Sequence, residues 1–349
     1  MTDDPYQPLS REEVCKAVEG RGPRRVPCIH TRWWAEGLWD QHGERLRDLE
    51  QRFPEDMVDI VINPIDYARM GLSWELSREK SHDKRAILDD WAKLDEFIEK
   101  MPDPEQAFNP EEHRPAFERA QSSGAYLMFS MWLLLYERPW QIRGMANLLT
   151  DYYTNPDEVH RLYRALTDLY IGYIRVVHRY FGPDGFWTSD DLGHQTQLMM
   201  PPEVFREFLK PYYREIGEEL RRLNMHWWIH SCGNNTEVMD DLIEVGVNMF
   251  HPVQKGCMDE KQVAERFTDM GFCVGIDVQH ILQEKTPDEI RREVRYLIDL
   301  FDREGGGMAI AAGNGIVSGT PFENIEAFLD EAVRYGEEHR SKFAGHRSE

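Results

Sequence analysis

The chain is short of positive charge: 41 lysines and arginines stand against 63 aspartates and glutamates, a formal net charge of −22. Nucleic acids and anionic membrane surfaces are both held by clustered Lys and Arg, so neither is expected as a partner. Cysteine is scarce as well. The five residues (Cys15, Cys28, Cys232, Cys257 and Cys273) are odd in number and scattered, which is no disulfide framework and implies a reducing compartment. No apolar run approaches the roughly 18 residues of a membrane helix; the longest, at 126–136, is too short. The polar opening MTDDPYQPLS lacks the charged-then-apolar pattern of a secretory signal, and a cytoplasmic protein is expected. Also missing are a Gly-x-Gly-x-x-Gly turn after the first strand, a phosphate-binding loop and a Ser-His-Asp arrangement.

What the chain does contain is an alternation of short apolar runs with long amphipathic stretches. Strands are predicted near 25–30, 57–62, 125–130, 185–190, 225–231, 247–252, 272–278 and 307–313, and helices at 156–180, 203–222, 236–245, 258–270 and 287–303. Ser10 and Glu13 have the spacing of a capping box at the start of a first helix. Strand then helix, repeated eight times, implies an α/β fold of the (β/α)₈ barrel type. The whole of 1–349 reads as one barrel domain, with 31–124 an enlarged, helix-rich early section.

In such barrels chemistry sits where the strands end, and polar residues gather there in this sequence. They are Asp190 and Asp191 with His194 and Gln195; His230 with Cys232; His251 and Gln254; Asp277 with Gln279 and His280; and Asn314. The sharpest local pattern is His226-Trp227-Trp228-Ile229-His230-Ser231-Cys232-Gly233, in which strand alternation sets His230 and Cys232 on one face. Imidazole and thiolate suit zinc, although two ligands make a short motif and a buried polar pair is the plain alternative. Asp190 and Asp191 are an acid/base or ligand pair by type. Alternation lets one of them face the pocket unless the strand has ended, and a helix-capping aspartate is the competing reading. Asp277 and Gln279 share a face and could hydrogen-bond a substrate amide or carboxylate. Cys257 reads as a loop thiol, Cys28 and Cys273 as core, and Trp33, Trp34 and Trp39 as packing aromatics.

Taken together, Ser189-Asp190-Asp191-Leu192-Gly193-His194-Gln195, the stretch 201–213, His230-Ser231-Cys232-Gly233, His251-Pro252-Val253-Gln254, Gly275-Ile276-Asp277-Val278-Gln279-His280 and Gly319-Thr320-Pro321-Phe322 resemble the uroporphyrinogen decarboxylase superfamily over roughly 140–335. The first third is similar only loosely. The resemblance implies a (β/α)₈ barrel with its pocket at the C-terminal end of the strands, and two activities. One is cofactor-free decarboxylation of a porphyrinogen held by arginines near the first strand. The other is methyl transfer between a methylcobalamin-bearing corrinoid protein and a thiol or pterin acceptor. The thiol-using members hold zinc through a His-x-Cys pair and a later Cys. This chain is more similar to the second branch, because Ile29-His30-Thr31-Arg32-Trp33-Trp34 offers one arginine where the decarboxylases have several. The later Cys is replaced by Asn314, a neutral and harder donor that suits zinc poorly. Either Cys257, Asp190 or Asp191 completes the metal site, or the acceptor is not a simple thiol, which makes tetrahydrofolate a candidate. The expected catalytic residues are Asp190, Asp191 and Asp277, with a small-molecule substrate held by the other strand-end residues. A non-catalytic small-molecule-binding barrel is the remaining alternative.

Overall fold

Eight short strands follow one another along the chain: β1 (Cys28–Ile29), β2 (Met57–Val61), β3 (Tyr126–Met131), β4 (Gly185–Ser189), β5 (His226–His230), β6 (Met249–His251), β7 (Gly271–Ile276) and β8 (Met308–Ala312). This computed structural model describes residues 6–72 and 86–345. The strands form one sheet in the order β1-β8-β7-β6-β5-β4-β3-β2. The pairs β1–β8, β4–β5, β6–β7 and β7–β8 are parallel. Sequential order, parallel pairing and helices between strands make this a (β/α)₈ barrel. No helix among the described residues is long and apolar enough to cross a membrane.

The chain divides into two compact units, Met1–Asp59 with Ala116–Met128 and Asn248–Glu349, and Ile60–Pro115 with Phe129–Val247. In the first unit, β7 and β8 pair from Phe272↔Met308 to Ile276↔Ala312, with Val274, Ile276, Ala309 and Ile310 fully buried. The helix Pro287–Phe301 opens on a complete capping box, Thr286 and Glu289 each accepting from the other's backbone N–H, and sets Phe301 edge-on to Phe272 at 5.4 Å. The box expected at Ser10 is only half made. Ser10 Oγ accepts the Glu13 N–H at 3.4 Å, but the Glu13 carboxylate turns to Lys16 Nζ and the Arg24 N–H instead. A cation and a distant amide compete successfully for it. β1 is shorter than predicted because Pro27 carries no N–H for a ladder.

In the second unit, the helix Pro156–Phe181 buries Val159, Leu162, Tyr163, Leu166, Tyr170, Ile174, Val177 and Phe181 along one face. Its acidic first turn and basic last turn complement the helix dipole. Trp187 of β4 stacks on Trp228 of β5 at 6.0 Å. The helix predicted at 203–222 is interrupted by a widened π turn at Phe205–Leu209. Pro211 explains it, having no N–H to close a regular turn onto Glu207. The early section 31–124 holds β2 and the short helices Leu38–His42, Glu44–Arg52, Leu94–Glu99, Pro104–Ala107 and Pro110–Ser123; its stretch 73–85 lies outside the described residues.

One buried ion pair ties the start of the first unit together. The Asp56 carboxylate accepts from Arg25 Nη1 and Nη2 at 2.7 and 2.6 Å and from the backbone N–H groups of Leu9 and Cys28 at 2.7 and 2.8 Å. Arg25 and Asp56 are 2% and 1% exposed, so water can replace neither partner. Asp56→Ala is expected to lower unfolding stability by about 3–5 kcal/mol, read as a shift of the urea midpoint. A shift within error of the parent would contradict this account.

Candidate metal centre

β4 and β5 pair in register from Gly185↔His226 to Ser189↔His230. One further bond, from the Asp190 N–H to the His230 carbonyl at 2.8 Å, completes the ladder. The strands end side by side, and the loops beyond them meet at glycine. A Cβ on Gly233, whose φ is +81°, would lie 2.3 Å from the Gly193 carbonyl carbon and oxygen, and one on Gly193 would lie 2.6 Å from the Cys232 oxygen. Only two hydrogen side chains allow that approach. Ser231 Oγ accepts the Leu192 N–H at 2.9 Å and donates to Asn235 Oδ1 at 2.8 Å. The buried Asn235 amide then donates to the carbonyls of Ser231, Cys232 and Gly233. Ser231, Asn235 and the two glycines thus fix the backbone of both loops.

The result is a three-residue cluster. Cys232 Sγ is 3.4 Å from His230 Nε2, His230 Nε2 is 3.6 Å from Asp191 Oδ1, and Asp191 Oδ1 also accepts the Cys232 N–H at 2.8 Å. The ligand atoms of all three lie within 4.8 Å of one another, with His230 buried and Asp191 and Cys232 partly exposed. Of the three residues considered for a third ligand, Asp191 is the one that joins His230 and Cys232. Trp132 meets the His230 ring edge-on at 6.1 Å.

Asp190 does something else. Wholly buried, its carboxylate accepts the N–H groups of Leu135, Tyr136 and Glu137 at 2.7–2.9 Å and the Tyr213 hydroxyl. Burial pushes its pKa up to about 7, against the pull of Tyr213 and the three amides. It therefore caps the helix Glu137–Arg143 from a distance. Glu137, a residue that sequence reasoning missed, accepts from Ser189 Oγ at 2.7 Å. Burial, then the charges of Asp191 and Asp190, push its pKa up to about 8.

The remaining expected residues belong to other surroundings. His194 and Gln195 are exposed in the loop after β4, where the His194 carbonyl accepts the Asn234 N–H. His251 is buried, stacks on Trp33 at 4.7 Å, and donates from Nε2 to the Ala312 carbonyl at 2.9 Å. The Gln254 carbonyl accepts the N–H groups of Cys257 and Met258. Burial and Asp277 push the Cys257 thiol up. Asp277 Oδ1 accepts the N–H groups of Gln279 and His280, both exposed, in a turn. Asn314, also exposed, accepts the Gly315 N–H at 2.7 Å.

A parallel barrel with a His-x-Cys pair at one strand end and a carboxylate at the next could hold a metal ion through three protein ligands. Comparison with known proteins is more specific. The family model for uroporphyrinogen decarboxylase (URO-D) matches residues 140–335, which include the whole cluster, and the chain belongs to that family. It is 26% identical to the methylcobamide:CoM methyltransferase MtbA of Methanosarcina acetivorans over 133 residues, 38% of this chain and 37% of that protein. To the methylcobamide:CoM methyltransferase MtaA of Methanosarcina barkeri it is 26% identical over 132 residues, 38% and 36% of the two chains. The match thus spans little more than a third of those relatives. A methyltransferase structure from Methanosarcina mazei shares the fold, with a TM-score of 0.64 at 14% identity over 94% of this chain and 99% of that one.

The glycine contact yields a direct test. Gly233→Ala places a Cβ into backbone at a positive φ and should cost about 2 kcal/mol or more, lowering the unfolding temperature. Gly256→Ala, at φ +82° with nothing within 4 Å, should cost roughly half as much. Equal losses in the two variants would show that the loops do not depend on the approach of Gly193 to Gly233.

Proposed function

We propose that this chain is a corrinoid-linked methyltransferase, moving a methyl group between a corrinoid protein and a nucleophilic acceptor beside a divalent metal held by Asp191, His230 and Cys232. The cluster carries the reading, because it falls within the family segment and joins the His-x-Cys pair to a third donor. One nitrogen, one sulfur and one carboxylate oxygen suit zinc, and three protein ligands leave a fourth position open. Thiolate and carboxylate together balance a dication, which the neutral Asn314 would not do. A metal bound there would lower the pKa of an acceptor thiol entering the open position. In the transfer itself the acceptor sulfur bonds to the methyl carbon while the cobalt–carbon bond breaks, both electrons remaining on cobalt and the thiol proton going to a base. The chain's own part is to hold that geometry: Gly193 and Gly233 press the two ligand loops together, and Asp190 fixes the segment that carries Glu137. The Glu137 carboxyl, beside Asp191, is the group placed to take or return the proton. Tetrahydrofolate is the alternative acceptor. Porphyrinogen decarboxylation is disfavoured because Arg32, the arginine after β1, is already paired with Asp59 at 2.5 Å.

The purified protein is expected to bind one equivalent of zinc and, so loaded, to demethylate methylcobalamin with CoM or tetrahydrofolate. Asp191→Ala and Cys232→Ala should each weaken zinc binding about tenfold or more and remove methyl transfer, whereas Asn314→Ala leaves zinc affinity unchanged. Zinc held equally well by both cluster variants, or CO₂ released from a porphyrinogen, would overturn the reading.

A further inference from the structure

Four arginines are buried among the described residues: Arg25, Arg138, Arg143 and Arg340. Three of them have a buried carboxylate. Arg25 pairs with Asp56 at 2.6 Å, Arg143 with Asp151 at 2.9 Å and Arg340 with Asp302 at 3.3 Å. Arg138, 3% exposed, has neutral partners instead. Nη1 donates to Gln141 Oε1 at 2.8 Å and to the Tyr67 hydroxyl at 3.4 Å. Nη2 donates to the Trp132 carbonyl at 3.3 Å and Asn63 Oδ1 at 3.5 Å. Nε is buried with no hydrogen-bond partner. Three of these four contacts are at the long end of the useful range, and the Tyr170 hydroxyl is a further neutral partner. A buried guanidinium whose charge is met by neutral dipoles alone is costly, and a planar oxoacid anion is the partner it is shaped to take.

The same arginine lines a cavity of about 630 Å³, together with Asn63, Tyr67, Trp132, Leu133 and Gln141; Asp66 lines it too, its carboxylate taken up by the Ala68 and Arg69 N–H groups and the Arg69 guanidinium. That volume suits a small organic molecule, and a mostly apolar wall with a few convergent polar groups is the usual make-up of such a site. Trp132 belongs both to this wall and, through its ring, to the surroundings of His230. We propose that the cavity binds a small, largely apolar organic acid, with its carboxylate or sulfonate on Arg138. The anion supplies the countercharge that the chain lacks at this position, while Asn63, Tyr67 and Gln141 hold the guanidinium ready when the cavity is empty. As an assignment of the molecule that reaches the metal centre this rests on the methyl-transfer reading; as a binding site it does not.

The test is calorimetric titration of the full chain with benzoate, benzenesulfonate and the neutral isostere benzamide. One or both acids should bind, the stronger identifying the acid group, and benzamide should bind about tenfold more weakly or not at all. Arg138→Gln should abolish that preference. Because loss of a buried arginine could unfold the protein, Asn63→Asp is the second variant. It places a carboxylate beside Nη2, and should raise the unfolding temperature of the ligand-free protein while weakening acid binding about tenfold or more. Cys232→Ser, expected to lose methyl transfer, should keep the acid affinity of the parent, so failure of the methyl-transfer reading leaves this result intact. Acids that bind no better than benzamide, or acid binding unchanged in Asn63→Asp, would overturn the proposal.

Discussion

The Asp190 carboxylate is committed in four directions, to three consecutive amides at 135–137 and to the Tyr213 hydroxyl. Those amides open the helix Glu137–Arg143 and, buried, would otherwise lack acceptors. By satisfying them from the end of β4, Asp190 fixes the segment that carries Trp132, Glu137 and Arg138, three side chains beside the Asp191–His230–Cys232 cluster and the cavity proposed to bind an acid. Its neighbour Asp191 points elsewhere, as adjacent residues leaving a strand do, and is left to join His230 and Cys232. One aspartate of the doublet holds structure, and the other stands beside His230 and Cys232.

The charge around this point is unbalanced in both senses. Asp190, Asp191 and Glu137 bring three carboxyl groups together: burial pushes Asp190 up to about 7, and burial with the charges of Asp191 and Asp190 pushes Glu137 up to about 8. A dication on Asp191 and Cys232 would relieve the repulsion on Glu137. Arg138, one residue beyond Glu137, is a buried cation met by neutral groups. Glu331, by contrast, is a buried carboxylate balanced internally by Arg291, Arg295 and Arg334.

Much of this was legible in the amino-acid sequence. Apolar runs and helical periods located all eight strands to within a few residues, because burial of one face follows the local period. His230 and Cys232 were visible as a pair two apart on a strand, and Asp191 as one of three possible completions. The particular choice was not legible, since it depends on two loops pressed together at Gly193 and Gly233. Glu137 and Arg138 gave no signal either: Tyr136-Glu137-Arg138-Pro139 reads as an ordinary helix start, and only tertiary packing buries both charges. Asp277 illustrates the opposite case, a strand-end acid whose observed contacts are with the turn behind it.

The proposed metal site is tested most directly by which side chains take zinc at the ends of β4 and β5. X-ray absorption at the zinc edge of the zinc-loaded protein counts the ligands directly. It should show one sulfur, from Cys232, with nitrogen and oxygen ligands completing the shell, and Asp191→Ala should change the light-atom shell while keeping the sulfur. Two sulfurs, or a shell with none, would contradict the account, because the first requires a second cysteine at the metal and the second removes Cys232 from it.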